Sequence, residues 1–260
     1  MTAKRVLSEH RTLPSGRLVA DILLHAATRC NSLEPQILGE LQTAFADALS
    51  AKAAFVTLTG DGRHFSTGGD VEAFHEAGDR YGYAERLVGQ LQAIVGGMLA
   101  SNAIIVAAAQ GATTGGSAGL LFAADLVIMS EDAFLQPYYA EVGFAPDGGW
   151  CALLPERIGA GRALAVQLEN RRIPARDALA FGIANRIVPA DQLQSALAET
   201  VERLDADHVV DAMIAAKRLV WDEGRLDQIA NRLAAEHAAF CAEIVKPGTE
   251  RGMARFLSAL

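Results

Sequence analysis

From Leu87 to Ala124 the chain carries no Asp, Glu, Lys or Arg. A stretch of that length without charge is buried almost throughout, or it lies in a membrane. Continuity excludes the membrane. Gln90, Gln92, Ser101, Asn102, Gln110 and several glycines interrupt the stretch, and no run of about 18 continuous apolar residues occurs in it. It reads instead as a core segment: a helix over 83–99, a strand over 104–109, a glycine loop and a helix-like apolar run. Covering such a segment takes a sizeable domain. The 260 residues, half of them hydrophobic, suffice for one large domain or one domain with a smaller appendage.

Within that segment, Gln110 to Ala124 (Gln-Gly-Ala-Thr-Thr-Gly-Gly-Ser-Ala-Gly-Leu-Leu-Phe-Ala-Ala) leaves the strand, crosses a loop with three glycines and enters the helix. Gly115 and Gly116 stand where the helix begins. N–H groups at a helix start have no internal partner and carry the positive end of the helix dipole. Glycine there lets a substrate oxygen approach bare backbone. Two readings compete: an oxyanion pocket, or close helix–strand packing without chemistry.

On either side the chain alternates strand and helix patterns. Strands are expected over 18–26, 54–59, 104–109 and 125–129, and a helix over 31–49 from Leu33, Ile37, Leu41, Phe45 and Leu49 at helical spacing. A second glycine loop, His64-Phe65-Ser66-Thr67-Gly68-Gly69-Asp70, follows the 54–59 strand. Segment 134–140 has no clear pattern, and 151–158, 163–169 and 175–181 read as helical. From Asp191 the pattern is almost wholly helical, over 193–204, 209–221 and 226–244. The expectation is therefore an α/β fold, with a core over 1–195 and a C-terminal helical region over 196–260. A doubly wound nucleotide fold would show a glycine trio at dinucleotide spacing or a glycine–lysine phosphate loop. Neither is present, so NAD and ATP are not expected.

Net charge −8 argues against nucleic acid as the main partner. Cys30, Cys151 and Cys241 lie far apart, with no metal-like pair and no disulfide framework, which suggests a reducing compartment. Residues 1–15 lack the apolar run of a secretory signal. A cytoplasmic protein with no membrane partner and no metal site is expected.

The two glycine loops together resemble those of the crotonase (enoyl-CoA hydratase/isomerase) superfamily, and the likeness runs along nearly the whole chain. Ile22 to Leu33 is similar to that family's first strand and Asn-Ala-Leu helix start. His64–Asp70 and Gln110–Asp125 are similar to its two oxyanion loops. Ala175–Pro189 resembles its Gly-Leu-Val-x-x-Val-Val-Pro block, and Glu250–Phe256 its C-terminal Glu-Gly-x-x-Ala-Phe. Each motif alone is weak; five in the right order are specific. The resemblance implies a spiral of β-β-α turns with a C-terminal helical region, homotrimers or dimers of trimers, and acyl-CoA thioester substrates. It places the oxyanion donors at Gly69 and Gly116, and substrate contacts at Cys30, Thr67, Gly68 and Asp70. Beyond the coenzyme A of the substrate it implies no cofactor.

The reaction depends on acids and bases that the loops do not supply. Members of the family that add water usually carry two glutamates; the matching positions here are Gly119 and Tyr138. Gly143-Phe-Ala-Pro-Asp147-Gly-Gly-Trp150 instead resembles the Gly-Leu-x-Pro-Asp-x-Gly loop of the isomerase-like branch. One carboxylate suffices to move a double bond, since it can take a proton from one carbon and return it two carbons away. An apolar pocket with Phe144 and Trp150 would raise the pKa of Asp147. The expected activity is therefore enoyl-CoA isomerase with Asp147 as acid/base and Tyr139 and Phe144 bounding the acyl pocket. Asp147 as a plain Pro-Asp-Gly turn residue remains open, as does Glu141 as the base. Hydratase and acyl-CoA hydrolase activities of the same superfamily are the alternatives. Two further readings come from other classes. One is a serine hydrolase, with Ser117 in a Gly-x-Ser-x-Gly elbow served by Asp147 and His208 or His237. The other is a non-catalytic acyl-CoA-binding protein.

Overall fold

The computed structural model describes residues 3–259; Met1 and Thr2, which the reading of the N-terminus included, lie outside them. Strand β4 (Ile104–Ala109) shows why the uncharged segment is uncharged. Its six residues alternate between two cores. Ile105, Ala107 and Ala109 face the larger one, and Ile104, Val106 and Ala108 a smaller one on the opposite face. A strand covered on both faces needs apolar residues at every position and shows no alternation in sequence.

β4 lies inside a six-stranded sheet of order β1-β2-β3-β4-β6-β9. The other members are β1 (Val6–Thr12), β2 (Leu18–Leu24), β3 (Phe55–Gly60), β6 (Leu126–Ser130) and β9 (Arg186–Val188). Only β1 runs antiparallel to its neighbour. It had no sequence signature because it is an edge strand, largely exposed and rich in charge, as edges that must not recruit other strands usually are. A second, three-stranded sheet joins β5 (Ala112–Thr114), β7 (Phe134–Gln136) and β8 (Ile173–Pro174). Its two members from the loop segments, β5 and β7, were too short to read from pattern.

The large core packs α1 (Pro35–Ser50), α3 (Arg80–Ala100) and α4 (Ala118–Ala123) against one sheet face. Between them lie the short α2 (Val71–Glu76) and, after α4, α5 (Tyr139–Val142), α6 (Leu154–Ile158), α7 (Ala160–Leu168) and α8 (Ala175–Ala180). α3 buries Leu87, Leu91, Ile94, Val95 and Met98, one stripe at helical spacing. The C-terminal helices are α9 (Leu193–Asp207), α10 (Val210–Val220), α11 (Glu223–Ile244) and α12 (Pro247–Leu257). α9 closes the opposite face of the sheet through Leu193, Leu197, Val201 and Leu204, while Ile229, Leu233 and Phe240 of α11 join the large core. No helix among the described residues is long and apolar enough to cross a membrane.

The expected helix over 31–49 begins later, at Pro35. Asn31 is instead a buried left-handed residue whose side-chain amide reaches the carbonyls of Asp61, His64 and Phe65 at 2.9–3.1 Å and whose Oδ1 accepts from the Ala26 N–H at 2.8 Å. Asn tolerates positive φ better than most residues. It spends that tolerance tying the first glycine loop to the end of β2.

Candidate active site

The two glycine loops are stitched edge to edge. Phe65 N–H donates to the Gln110 carbonyl at 2.9 Å, Ser66 N–H to Ala112 at 3.2 Å, and Thr114 N–H to Ser66 at 3.1 Å. His64 Nδ1 accepts the Ala112 N–H at 3.0 Å. Gly68 sits at φ +77°, and a Cβ there would run into the Thr114 carbonyl, so the loops approach at a distance only glycine permits. Gly68, expected as a substrate contact, has its carbonyl committed to the Leu33 N–H at 2.7 Å, while its neighbours Thr67 and Gly69 line a cleft.

Gly69 and Gly116 both line this cleft of about 640 Å³. Gly115 and Gly116 open a 3₁₀ turn, Gly115–Ser117, that runs directly into α4, so their N–H groups are the unpartnered ones of a helix start. Cys30, Thr67, Asp70, Tyr139, Phe144 and Asp147 share the same lining, and so do Phe240 of α11 and Phe256 of α12. Asp70 caps α2 by accepting the Ala73 N–H at 3.1 Å and pairs with Arg29 at 2.5 Å. Its carboxylate is thus committed to the cap and to Arg29. Phe74, Phe144 and Phe240 form one cluster with ring centroids 5.0–5.4 Å apart.

Asp147 is 6 % exposed. A Cβ built on Gly116 would lie 3.0 Å from both of its carboxylate oxygens, which places the acid beside one of the two glycines expected as oxyanion donors. Burial pushes its pKa up to about 6, against the opposing pull of the Tyr139 hydroxyl. That hydroxyl donates to Asp147 Oδ1 at 2.5 Å. Tyr139, expected as a wall of the acyl pocket, is on the lining but its polar end is a partner of the acid. Trp150, expected in the apolar surround of Asp147, is off the lining. It is fully buried, and its indole N–H donates to the Gly115 carbonyl at 2.7 Å, strapping the Asp147 loop to the helix start.

Glycine at 119 is a steric requirement. A Cβ there would overlap the Gly148 carbonyl, and one on Gly148 (φ +65°) would overlap Gly116. The acid-bearing loop lies flat on α4 in the space where a longer side chain from 119 would go. Glu141, the other candidate base, is exposed and off the lining. The serine-hydrolase constellation does not assemble. Ser117 is fully buried, and its hydroxyl donates to the Thr114 carbonyl at 2.7 Å, with that of Ser66 at 3.1 Å. His208 is exposed at the end of α9, and His237 lies inside α11.

One buried acid beside the site escaped the sequence reading. Glu236 of α11 accepts the N–H groups of Gly149 (2.8 Å), Cys151 (2.5 Å) and Ala152 (2.8 Å). Its signal was present: it interrupts the apolar stripe Ile229, Leu233, Phe240, Ile244 at a position that must face inward.

The chain and its fold have known counterparts. The enoyl-CoA hydratase/isomerase family model matches residues 15–259. YhaR of Bacillus subtilis, whose name assigns it to the enoyl-CoA hydratases/isomerases, is 28% identical over 221 residues, 85% of each chain. A Δ(3,5)-Δ(2,4)-dienoyl-CoA isomerase of Pyricularia oryzae is 27% identical over 170 residues, 60% of this chain and 61% of that one. The crystal structure of enoyl-CoA hydratase from Bacillus halodurans superposes with a TM-score of 0.87 at 19% identity, covering 96% of this chain and 99% of the other. With the model spanning nearly the whole sequence and both glycine loops in place, the chain belongs to the enoyl-CoA hydratase/isomerase family.

Proposed function

We propose that this protein is an enoyl-CoA isomerase that moves a double bond through a thioester enolate, with Asp147 as its single acid/base. The observation that carries the proposal is one buried carboxylate beside Gly116, with the space beside α4 taken by Gly148. Members of the family that add water usually carry two glutamates; of the matching positions here, Gly119 is sterically closed and Tyr138 carries no acid. A single carboxylate is what a 1,3-proton shift needs.

The geometry supports the following steps. The thioester oxygen of a 3-enoyl-CoA sits at the Gly69 and Gly116 N–H groups. Asp147 takes a proton from C2, and the electron pair moves onto the thioester oxygen. Backbone donors fixed in place before the charge develops stabilise it without reorganisation, each contributing on the order of 3 kcal/mol. The protonated acid then delivers the proton to C4, leaving a 2-enoyl-CoA. A base with pKa about 6 is ionised at neutral pH, yet basic enough to accept a proton from an activated carbon. The cluster of Phe74, Phe144 and Phe240 gives the cleft an apolar wall beside the acid. No step calls for a metal or redox cofactor.

The test offers 3-enoyl-CoA and 2-enoyl-CoA to the wild type and to Asp147→Asn. Isomerisation is expected to fall at least about 100-fold in the variant. Unchanged isomerisation removes Asp147 as the base; fast hydration of 2-enoyl-CoA by the wild type removes the isomerase assignment.

A further inference from the structure

The loop that carries Asp147 is held from behind by a second buried acid, and the hold is one-sided in charge. Glu236 accepts three backbone N–H groups, those of Gly149, Cys151 and Ala152, all within five residues of Asp147. The two arginines of its own helix do not neutralise it: Arg225 and Arg232 both pair with Glu156, at 3.0 and 2.9 Å. Across from Glu236 stand Asp147, Tyr139 and the Cys151 thiol, each of which feels or exerts its charge. On the α3 side Glu85 bears on Cys241 further along α11, and His237, next in sequence, leaves its Nε2 unpartnered.

Such an arrangement is costly unless it does something that a neutral residue would not. A buried carboxylate with no cation is stable only through its hydrogen bonds. All three of those converge on the strand of backbone that sets where Asp147 lies. On its other side the same strand rests on Gly116 and Gly119 through Gly148, and is strapped to Gly115 by Trp150. The α4 side is fixed by close contact and the Trp150 hydrogen bond, and the α11 side by the three bonds to Glu236.

We propose that Glu236 is a positioning residue for catalysis: its ionised carboxylate gathers the N–H groups of Gly149, Cys151 and Ala152 and thereby holds Asp147 at the oxyanion donors. This rests on Asp147 being the base. Both oxygens are needed. Oε2 serves Gly149, and Oε1 serves Cys151 and Ala152, so a protonated acid or an amide presents a donor to at least one N–H and releases that end of the loop. Full activity then needs two ionised carboxylates, one to take the proton and one to hold the loop. Burial raises both, Asp147 to about 6 and Glu236 to about 7, so the two proton losses fall in the same pH range.

The measurement is kcat and KM for 3-enoyl-CoA isomerisation from pH 5 to 8, in the wild type, Glu236→Gln, Glu236→Asp and Asp147→Asn. In the wild type, kcat falls on the acid side more steeply than one proton allows. Glu236→Gln lowers kcat by roughly 10- to 100-fold, as displacement of a reacting group by about 1 Å does. It leaves KM within about threefold, and its acid limb has a slope of one. Glu236→Asp keeps the charge on a shorter arm, gives an intermediate kcat and retains the steeper limb, which covers the case in which the glutamine variant does not fold. A side chain that merely anchors the turn before α6 would change melting temperature and leave the slope alone. A one-proton limb in the wild type, or Glu236→Gln at full rate with Asp147→Asn inactive, overturns this inference and leaves Asp147 as the base. Full isomerisation by Asp147→Asn overturns both.

Discussion

Asp147 is expensive to keep ionised, and replacing it by Asn should show how expensive. The folded pKa of about 6 stands above the ordinary 3.8 because burial penalises the charge. A carboxyl group with a raised pKa takes up protons on folding. Its contribution favours the fold fully below pH 3.8 and is lost as pH rises from there through about 6. With 1.36 kcal/mol per pKa unit, the ionised acid costs about 1.5 kcal/mol of stability at pH 5 and about 3 kcal/mol above pH 7. Asn has nearly the same shape and its Oδ1 can still accept from Tyr139, while it carries no charge to desolvate. Asp147→Asn is therefore expected to be more stable than the wild type at pH 8, by up to about 3 kcal/mol and by roughly 1.5 kcal/mol more than at pH 5. The assay is urea unfolding at pH 5 and pH 8 for both proteins, with equal m-values required so that the difference reports stability. An enzyme that inactivates itself while becoming more stable would be the signature of strain held at a reacting group. A difference between variant and wild type that stays flat from pH 5 to pH 8, or that turns against the variant at pH 8, would refute the reasoning that burial dominates at this site.

Two other substitutions probe the same loop. Tyr139→Phe removes the hydroxyl that stabilises the ionised acid, so the acid limb of kcat should move up by about 1 pH unit, the worth of a hydrogen bond to a buried charge; a limb that stays put or moves down separates Tyr139 from the titration. Gly119→Ala puts a methyl group into the Gly148 carbonyl and should cost about 1–3 kcal/mol in unfolding free energy, with a fall in kcat as the Asp147 loop is lifted. Wild-type stability for that variant would show that the loop does not rest on α4.

Much of the fold was legible because burial leaves its mark on composition. The uncharged run from Leu87 to Ala124 marked a largely buried segment: its β4 and α4 are buried along their whole length, while α3 keeps an exposed face with Ala93, Gly97 and Ala100. The glycines announced close backbone approach for the same reason: only a missing Cβ lets Gly68 meet Thr114 and Gly116 meet Asp147. β1 was illegible because an edge strand is charged by need, and β5 because three residues make no period. At Asn31 a helix-start motif hid a left-handed residue that ties the first loop to β2, which periodicity cannot express.

The sequence by itself determined that two glycine loops follow two buried strands, that a Pro-Asp-Gly loop comes downstream, and that positions 119 and 138 carry no acid. Those are local facts, set by residue type and order along the chain. Only the tertiary structure decided that Asp147 lies beside Gly116, that Tyr139 donates to it, that Trp150 is a strap outside the cleft, and that Glu236, 89 positions along the chain from Asp147, holds the loop from behind. The acidity of a carboxyl group depends on what surrounds it within a few ångströms, and in a folded chain those neighbours are assembled from segments that the linear order keeps far apart.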